Sequence, residues 1–463
     1  MQWRRCAPVL TEACPAGGIR DPYRERNYLC FVYIFSERYK LRKKIFRMFR
    51  ENMNTEIKTV PFSPPDISDT EISEVVGALR SGWITTGERT KLFERRLAAY
   101  LGRRRVVCLS SQTAAAELTL RLLGVGEGDE VVLPAYTYTA TAEVVAHVGA
   151  RIVMVDCAPE SYEMDCDALA AALTERTKAV IPVDIGGRLC DYDRIFAVLD
   201  SKKGLYRPRT DMQMLWDRPV VVADSAHGLG ASRGGVMSGG FADFTTFSFH
   251  AVKCLTTGEG GAVTWLSRPG LDDDELYRQY MLMSLHGQSK DARHKSGPGA
   301  WEYDVMMPGY KCNMTDIHAA VGLGQLERYP ALLRRRREIV KRYDRALLPL
   351  GICRLEHFEP GADTSLHLYL VRVPGIDDTC RRRIIDGMAD AGVACNVHYK
   401  PLPMLTAYKN LGFSMGDYPF AWRQYENEIS LPLHTCLSDG DVDYVSSCFA
   451  RELERAHAFS ACR

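Results

Sequence analysis

The chain has 463 residues, 46% hydrophobic and 25% charged, with a formal net charge of +1; this is the balance of a folded globular protein of two or three domains, not of a collagen-like, coiled-coil or disordered chain. Near-neutral charge supplies no drive toward nucleic acid or an anionic membrane surface, and no apolar run reaches the roughly 18 residues that a membrane span needs. Its 15 cysteines include no C-x-x-C pair, so neither a zinc knuckle nor a redox motif is supported, no metal site is expected, and the thiols read as reduced groups of a cytoplasmic protein long enough to build a core without disulfides.

Residues 1–52 stand apart in composition. They carry 12 basic and 5 acidic residues, net +7, which leaves −6 on the remainder. Leu29–Ser36 (LCFVYIFS) is too short for a span and lacks the small-residue cleavage site of a signal peptide. The segment reads as an extension outside the fold, with Met53 as the natural first residue. A basic membrane-surface arm and an ordinary packed extension are the alternatives.

Order begins near Val60. Asp69–Arg80 has apolar residues at helical spacing behind Ser68 as N-cap. Short apolar runs then alternate with helical patterns. The predicted strands are Val106–Ser110, Glu130–Pro134, Arg151–Asp156, Ala179–Asp184, Val220–Asp224, Phe244–Phe249 and Gly261–Trp265, with helices such as Ala114–Leu123 and Thr139–Val148 between them. This alternation predicts an α/β domain over 53–314, built on a seven-stranded, mainly parallel sheet with helices on both faces. In such sheets ligands bind at the carboxyl ends of the strands. Lys202–Asp217 reads as a surface insertion. Beyond Met314 a long helix, Thr315–Tyr343, leads into a smaller α+β domain over 315–463. Its basic run Arg334–Arg337 reads as a solvated helix face.

Four stretches carry chemistry, all at strand ends. Lys253 follows the strand that ends at Phe249, and Gly258, Gly260 and Gly261 come after it. A lysine with a desolvated amine is a Schiff-base former, and glycines allow a planar group to approach the backbone. A surface lysine before a Gly-rich turn is the bland alternative. Asp224, at the end of Val220–Asp224, suits a partner for a ring nitrogen, where an Asp-turn cap is the bland reading. Ser110–Ala114 opens a helix, whose amides and hydroxyls suit an anion, though a simple N-cap has the same residues. Tyr136 and Tyr138 follow Glu130–Pro134, where an aromatic side chain stacks on a planar cofactor or packs in the core. Lysine, ring acid, phosphate cradle and stacking ring together match what pyridoxal 5′-phosphate (PLP) needs.

From about Val60 to Ala450 the sequence resembles the DegT/DnrJ/StrS-type sugar aminotransferases, which are fold type I PLP enzymes. The matching stretches are Ser81–Gly87 (SGWITTG), Ser248–Lys253 (SFHAVK), Thr257–Gly261, Pro308–Ile317, Val397–Tyr399 and Ile429–His434. The resemblance implies that Lys253 carries the cofactor and shuttles the proton, and that Asp224 pairs with the pyridine nitrogen. It places His227 near the ring hydroxyl and Tyr138 on the ring face. Thr113, Ala114 and Ser248 would bind the phosphate, and Asn313 would reach the phosphate of a neighbouring subunit, because the family's sites form across a homodimer. Thr86, Tyr310 and His398 would line a sugar pocket. The implied substrates are a nucleotide-linked keto-sugar and an amino donor, L-glutamate. Gln112 stands where many members have Gly, and Arg188 where Gln is frequent. Two rivals remain within the family: sugar dehydratases, which have His in place of the lysine, and regulatory relatives that keep only the fold. Lys253 and Asp224 argue against both.

Overall fold

The structure, a computed structural model, describes residues 58–289 and 302–460. All of these but Lys58 fall in one compact unit, Thr59–Arg463. The expectations for residues 1–52 lie outside the described residues.

Seven strands form the main sheet: β1 (Val106–Leu109), β2 (Glu130–Pro134), β3 (Arg151–Val155), β4 (Thr177–Val180), β5 (Val220–Asp224), β6 (Phe244–Ser248) and β7 (Gly261–Trp265). Their order is β1-β7-β6-β5-β4-β2-β3. Only β7 runs antiparallel to its neighbours β1 and β6; the other pairs are parallel. Strands such as Val106–Leu109 (VVCL) are apolar throughout because both faces are covered. Val131 and Leu133, with Val220 and Val222, enter one cluster, alongside side chains of helices α3 (Gln112–Leu122) and α4 (Thr139–His147). Val132, Val221 and Ala223 enter another, with helix Tyr192–Ser201. Alternate residues thus face opposite layers, as the two-residue period of a strand requires.

One predicted strand shifts. Ala179–Asp184 is realised as Thr177–Val180, because Pro182 has no N–H to continue the ladder. The chain nevertheless stays beside β5, with Asp184 N–H donating to Asp224 O at 3.0 Å.

Helices α1 (Asp69–Arg80) and α2 (Glu88–Leu101) precede the sheet. Ser68 caps α1 as predicted, in a reciprocal box with Glu71. At α2 the cap is remote. Gly87 has no side chain to supply it, so the Asp316 carboxylate accepts from the amides of Gly87 (2.8 Å), Arg89 (3.2 Å) and Thr90 (2.9 Å). A Cβ on Gly87 would fall 2.7 Å from that carboxylate. The stretches Ser81–Gly87 and Pro308–Ile317 therefore hold each other across more than 200 residues of chain.

The long helix α5 runs Asp316–Leu347, with Thr315 as N-cap. One expectation is corrected on it. Arg336 is buried rather than solvated, and its guanidinium donates to the carbonyls of Leu366 (3.2 Å), His367 (3.4 Å) and Leu433 (3.0 Å). Lys202–Asp217 runs mostly over the surface, as expected, and is tied down by buried Tyr206, Gln213 and Trp216, with Gln213 Nε2 donating to Leu123 O at 3.0 Å. In both cases a polar side chain satisfies backbone carbonyls that charge patterning does not reveal. Three further strands, β8 (Cys353–Arg354), β9 (Tyr369–Arg372) and β10 (Glu428–Leu431), make an antiparallel sheet in the order β8-β9-β10. It packs with Ile339, Tyr343, Ile384 and Phe449 from surrounding helices. Among the described residues no helix is long and apolar enough to cross a membrane.

Candidate active site

A cavity of about 420 Å³ opens at the carboxyl ends of β5 and β6. Its lining contains Thr113, Tyr138, Asp224, His227, Ser248, Lys253 and His398. Seven of the eleven predicted site residues thus meet in one place, drawn from five separate stretches of sequence.

Lys253 sits on the turn beyond β6, anchored by its N–H to His250 O at 2.9 Å. Burial pushes its ammonium down to about 8, against the opposing pull of Asp224. An amine in that range is partly neutral near physiological pH and can act as nucleophile or base. Asp224 ends β5, is 5% exposed, and accepts from Thr141 Oγ1 at 2.7 Å and Ala226 N at 3.2 Å. Burial raises its carboxyl, while those two bonds and the Lys253 charge hold it down.

His227 is fixed at both nitrogens. Gly186 N–H donates to Nδ1 at 3.2 Å, so the neutral ring carries its proton on Nε2, which meets Tyr399 Oη at 2.9 Å. Burial and the nearby positive charge hold it well below the ordinary histidine range. Tyr399 therefore accepts from His227 and keeps its own hydroxyl proton for the cavity. His367 packs on His227, with ring centroids 4.3 Å apart.

The phosphate cradle sits at the start of α3. Ser111 is its N-cap, and Ser111 Oγ accepts from Ala114 N at 3.0 Å. The Ala114 amide is thereby occupied, and Thr113 and Ser248 are the predicted groups that face the cavity. Gly261 explains the close fit of this helix. A Cβ there would lie 2.2 Å from Gln112 N, so the glycine admits the helix terminus against β7. Gln112 points inward, with Nε2 donating to Thr246 Oγ1 at 3.0 Å. Arg188 faces elsewhere and pairs with Glu163 at 2.9 Å.

Thr86, Asn313 and Tyr310 do not line the cavity. Asn313 Nδ2 donates to Thr86 Oγ1 at 2.5 Å, and Thr86 Oγ1 donates to Met314 O at 2.6 Å. Tyr310 stays 36% exposed, with the Arg121 guanidinium 5.0 Å from its ring centre. Sequence reasoning assigned no role to Phe62, Thr141, His367 or Tyr399. Tyr399 was within reach, since it follows His398 in one of the quoted motifs.

The donor set fits PLP on its own chemistry. It offers a desolvated amine, a buried carboxylate at a strand end, hydroxyls at a helix start, and an aromatic ring, all around one cavity. Residues 65–450 match the sequence model of the DegT/DnrJ/EryC1/StrS aminotransferase family. The chain belongs to this family. It is 37% identical over 390 residues to the spore coat polysaccharide biosynthesis protein SpsC of Bacillus subtilis, covering 83% of this chain and 95% of that protein. Among solved structures, the PMP form of Spr1654 from Streptococcus pneumoniae is 54% identical, with a TM-score of 0.84 over 86% of this chain and 100% of that one. Helicobacter pylori PseC, an aminotransferase of pseudoaminic acid biosynthesis, is 28% identical, with a TM-score of 0.73 over 86% of this chain and 100% of its own. This DegT/DnrJ/EryC1/StrS aminotransferase is a PLP-dependent enzyme of fold type I.

Proposed function

We propose that the enzyme transfers an amino group from L-glutamate to the keto group of a nucleotide-linked sugar, in the cytoplasm, as a homodimer with shared sites. The observation that carries this reading is Lys253, its amine lowered to about 8, in the same cavity as Asp224. PLP supplies an electron sink for the substrate carbon when it is bound there. Asp224, with Thr141 behind it, would hold a proton at the pyridine nitrogen. Thr113 and Ser248 would take the phosphate, and Tyr138 would cover the ring face. Lys253, once free, would take the proton from one substrate carbon and return it to another position as general base and acid.

A shared site accounts for Thr86, Asn313 and Tyr310. Thr86 and Asn313 bond to each other and Tyr310 packs on Arg121, all outside this chain's own cavity, which suits residues that serve a second copy. The similarity to SpsC and PseC supports an amino sugar for a surface polysaccharide or glycoprotein, with secondary metabolism as a further destination. Gly309–Ile317 resembles members that act on UDP-linked 4-keto sugars. The test is a panel of UDP-, dTDP- and GDP-linked keto-sugars incubated with L-glutamate and the holoenzyme, read by mass spectrometry. An amino sugar with 2-oxoglutarate formed in equal amount supports the reading. No product from any member of the panel overturns it.

A further inference from the structure

Behind the cavity wall lies a buried chain of three polar side chains with no role in the mechanism above. His398 lines the cavity, stacked on Phe62 with ring centroids 5.5 Å apart. Its Nδ1 meets Ser430 Oγ at 2.8 Å, and Ser430 Oγ donates to Glu428 Oε1 at 2.6 Å. The other oxygen of Glu428 accepts the backbone N–H of His398 at 2.9 Å. Glu428 and Ser430 are fully buried on β10. Tyr136 Oη pins the same loop by donating to His398 O at 2.7 Å.

The direction of this chain follows from counting hydrogens. Burial pushes the Glu428 carboxyl up to about 8, so above that pH it is ionised, and Ser430 gives its one hydroxyl proton to Glu428. Its lone pair must therefore accept from His398, so the proton of the neutral imidazole sits on Nδ1. Nε2 is left with a bare lone pair. Burial and the Lys253 charge push His398 down to about 3, so the ring stays neutral and the lone pair stays available.

We propose that Glu428 and Ser430 are positioning residues that fix His398 as a hydrogen-bond acceptor for a hydroxyl of the sugar substrate. A neutral acceptor repels a carboxylate, so the group does not suit a dicarboxylate donor such as glutamate; it suits a hydroxyl. The inference rests on the sugar-aminotransferase reading and assigns the specificity of one half-reaction to this relay. It also predicts what Glu428→Gln does. The amide oxygen keeps the backbone N–H of His398, its NH₂ turns to Ser430, and the Ser430 hydroxyl is then driven to donate to Nδ1. The relay reverses and His398 presents Nε2–H.

The test uses the full-length holoenzyme and its Ser430→Ala, Ser430→Thr and Glu428→Gln variants at pH 9, where Glu428 is ionised. Three readouts are taken: the visible spectrum of bound cofactor, its conversion by L-glutamate, and its return by a UDP-linked 4-keto-6-deoxyhexose or whichever panel sugar the wild type turns over fastest. We expect the first two to match wild type. For the sugar, kcat/KM should fall about tenfold in Ser430→Ala and Glu428→Gln, chiefly through KM, as the loss of one oriented hydrogen bond implies. Ser430→Thr, which keeps the hydroxyl, should recover it. In a His398→Phe background, Ser430→Ala should cost nothing further. Equal slowing of both half-reactions, or no change in the sugar step, overturns the proposal. The ¹⁵N spectrum of histidine-labelled protein at pH 9, where Glu428 is ionised, decides the relay without any substrate: His398 should be protonated on Nδ1 in the wild type and on Nε2 in Glu428→Gln. Protonation on Nε2 in the wild type overturns it. Failure of the parent reading looks different, since the wild type would then answer neither to glutamate nor to any keto-sugar.

Discussion

The predicted site residues fall into two regions of different construction. Lys253, Asp224, His227 and Ser248 hang from the ends of β5 and β6 and converge on one cavity. Thr86, Asn313 and Tyr310 come from the loops before α2 and α5, bind each other or Arg121, and stay outside that cavity. The first region gathers in one cavity of a single chain. The second has polar groups that bond to one another or pack on Arg121, outside the cavity of the first. Motifs place residues in a family's site without saying whether they line it within one chain; Thr86, Asn313 and Tyr310 do not line the cavity that holds Lys253.

The strongest way to break the comparison is to disable each region separately. Lys253→Ala should lower transamination by about 10³-fold or more, with the thermal midpoint preserved, because nucleophile and base are lost together. Asn313→Ala should also lose most activity. Refolding the two variants together should then recover about one quarter of wild-type activity, since half the dimers are mixed and each mixed dimer regains one intact site. No recovery in the mixture would place both residues in the same chain's site.

A second measurement sharpens the account of the first region. With its ammonium lowered to about 8, Lys253 offers about two orders of magnitude more free amine at pH 8 than an ordinary lysine. The rate at which apoprotein gains visible absorbance on adding PLP should rise with pH and level off above about 8. A rate still climbing at pH 10 would contradict the burial of this amine.

The third prediction concerns the frame. Gly261→Ala would place a Cβ 2.2 Å from Gln112 N. Displacement of α3 should cost about 1–3 kcal/mol of stability, seen as a lower thermal midpoint, together with weaker PLP affinity at the displaced cradle. The smallest effect is expected at the other end of the chain. A protein beginning at Met53 retains Val60, whose pairing with Val393 ties the first described residues to the fold. It should keep thermal midpoint, dimerisation and activity, as the composition of residues 1–52 implies. A drop of many degrees would show that the extension belongs to the fold.

The sheet was legible because its strands are buried on both faces. Val220–Asp224 and Gly261–Trp265 are mainly apolar, buried throughout, and have the bounds that the sequence predicts. Lys253 and Asp224 were legible because their chemistry stands out just beyond such runs. Contacts between distant segments were not. The Asp316 cap on α2, the carbonyls bound by Arg336 and the Glu428–Ser430–His398 chain each join residues brought together only by folding. In each case a polar group satisfies a partner that no local spacing announces.

The central claim is that the chemistry runs through one amine. Holoenzyme reduced with borohydride, digested and mapped by mass spectrometry tests it directly. The account predicts the pyridoxyl mass on the peptide containing Lys253, at about one per chain, and none elsewhere. The label on another lysine, or equal labelling in Lys253→Ala, would contradict it.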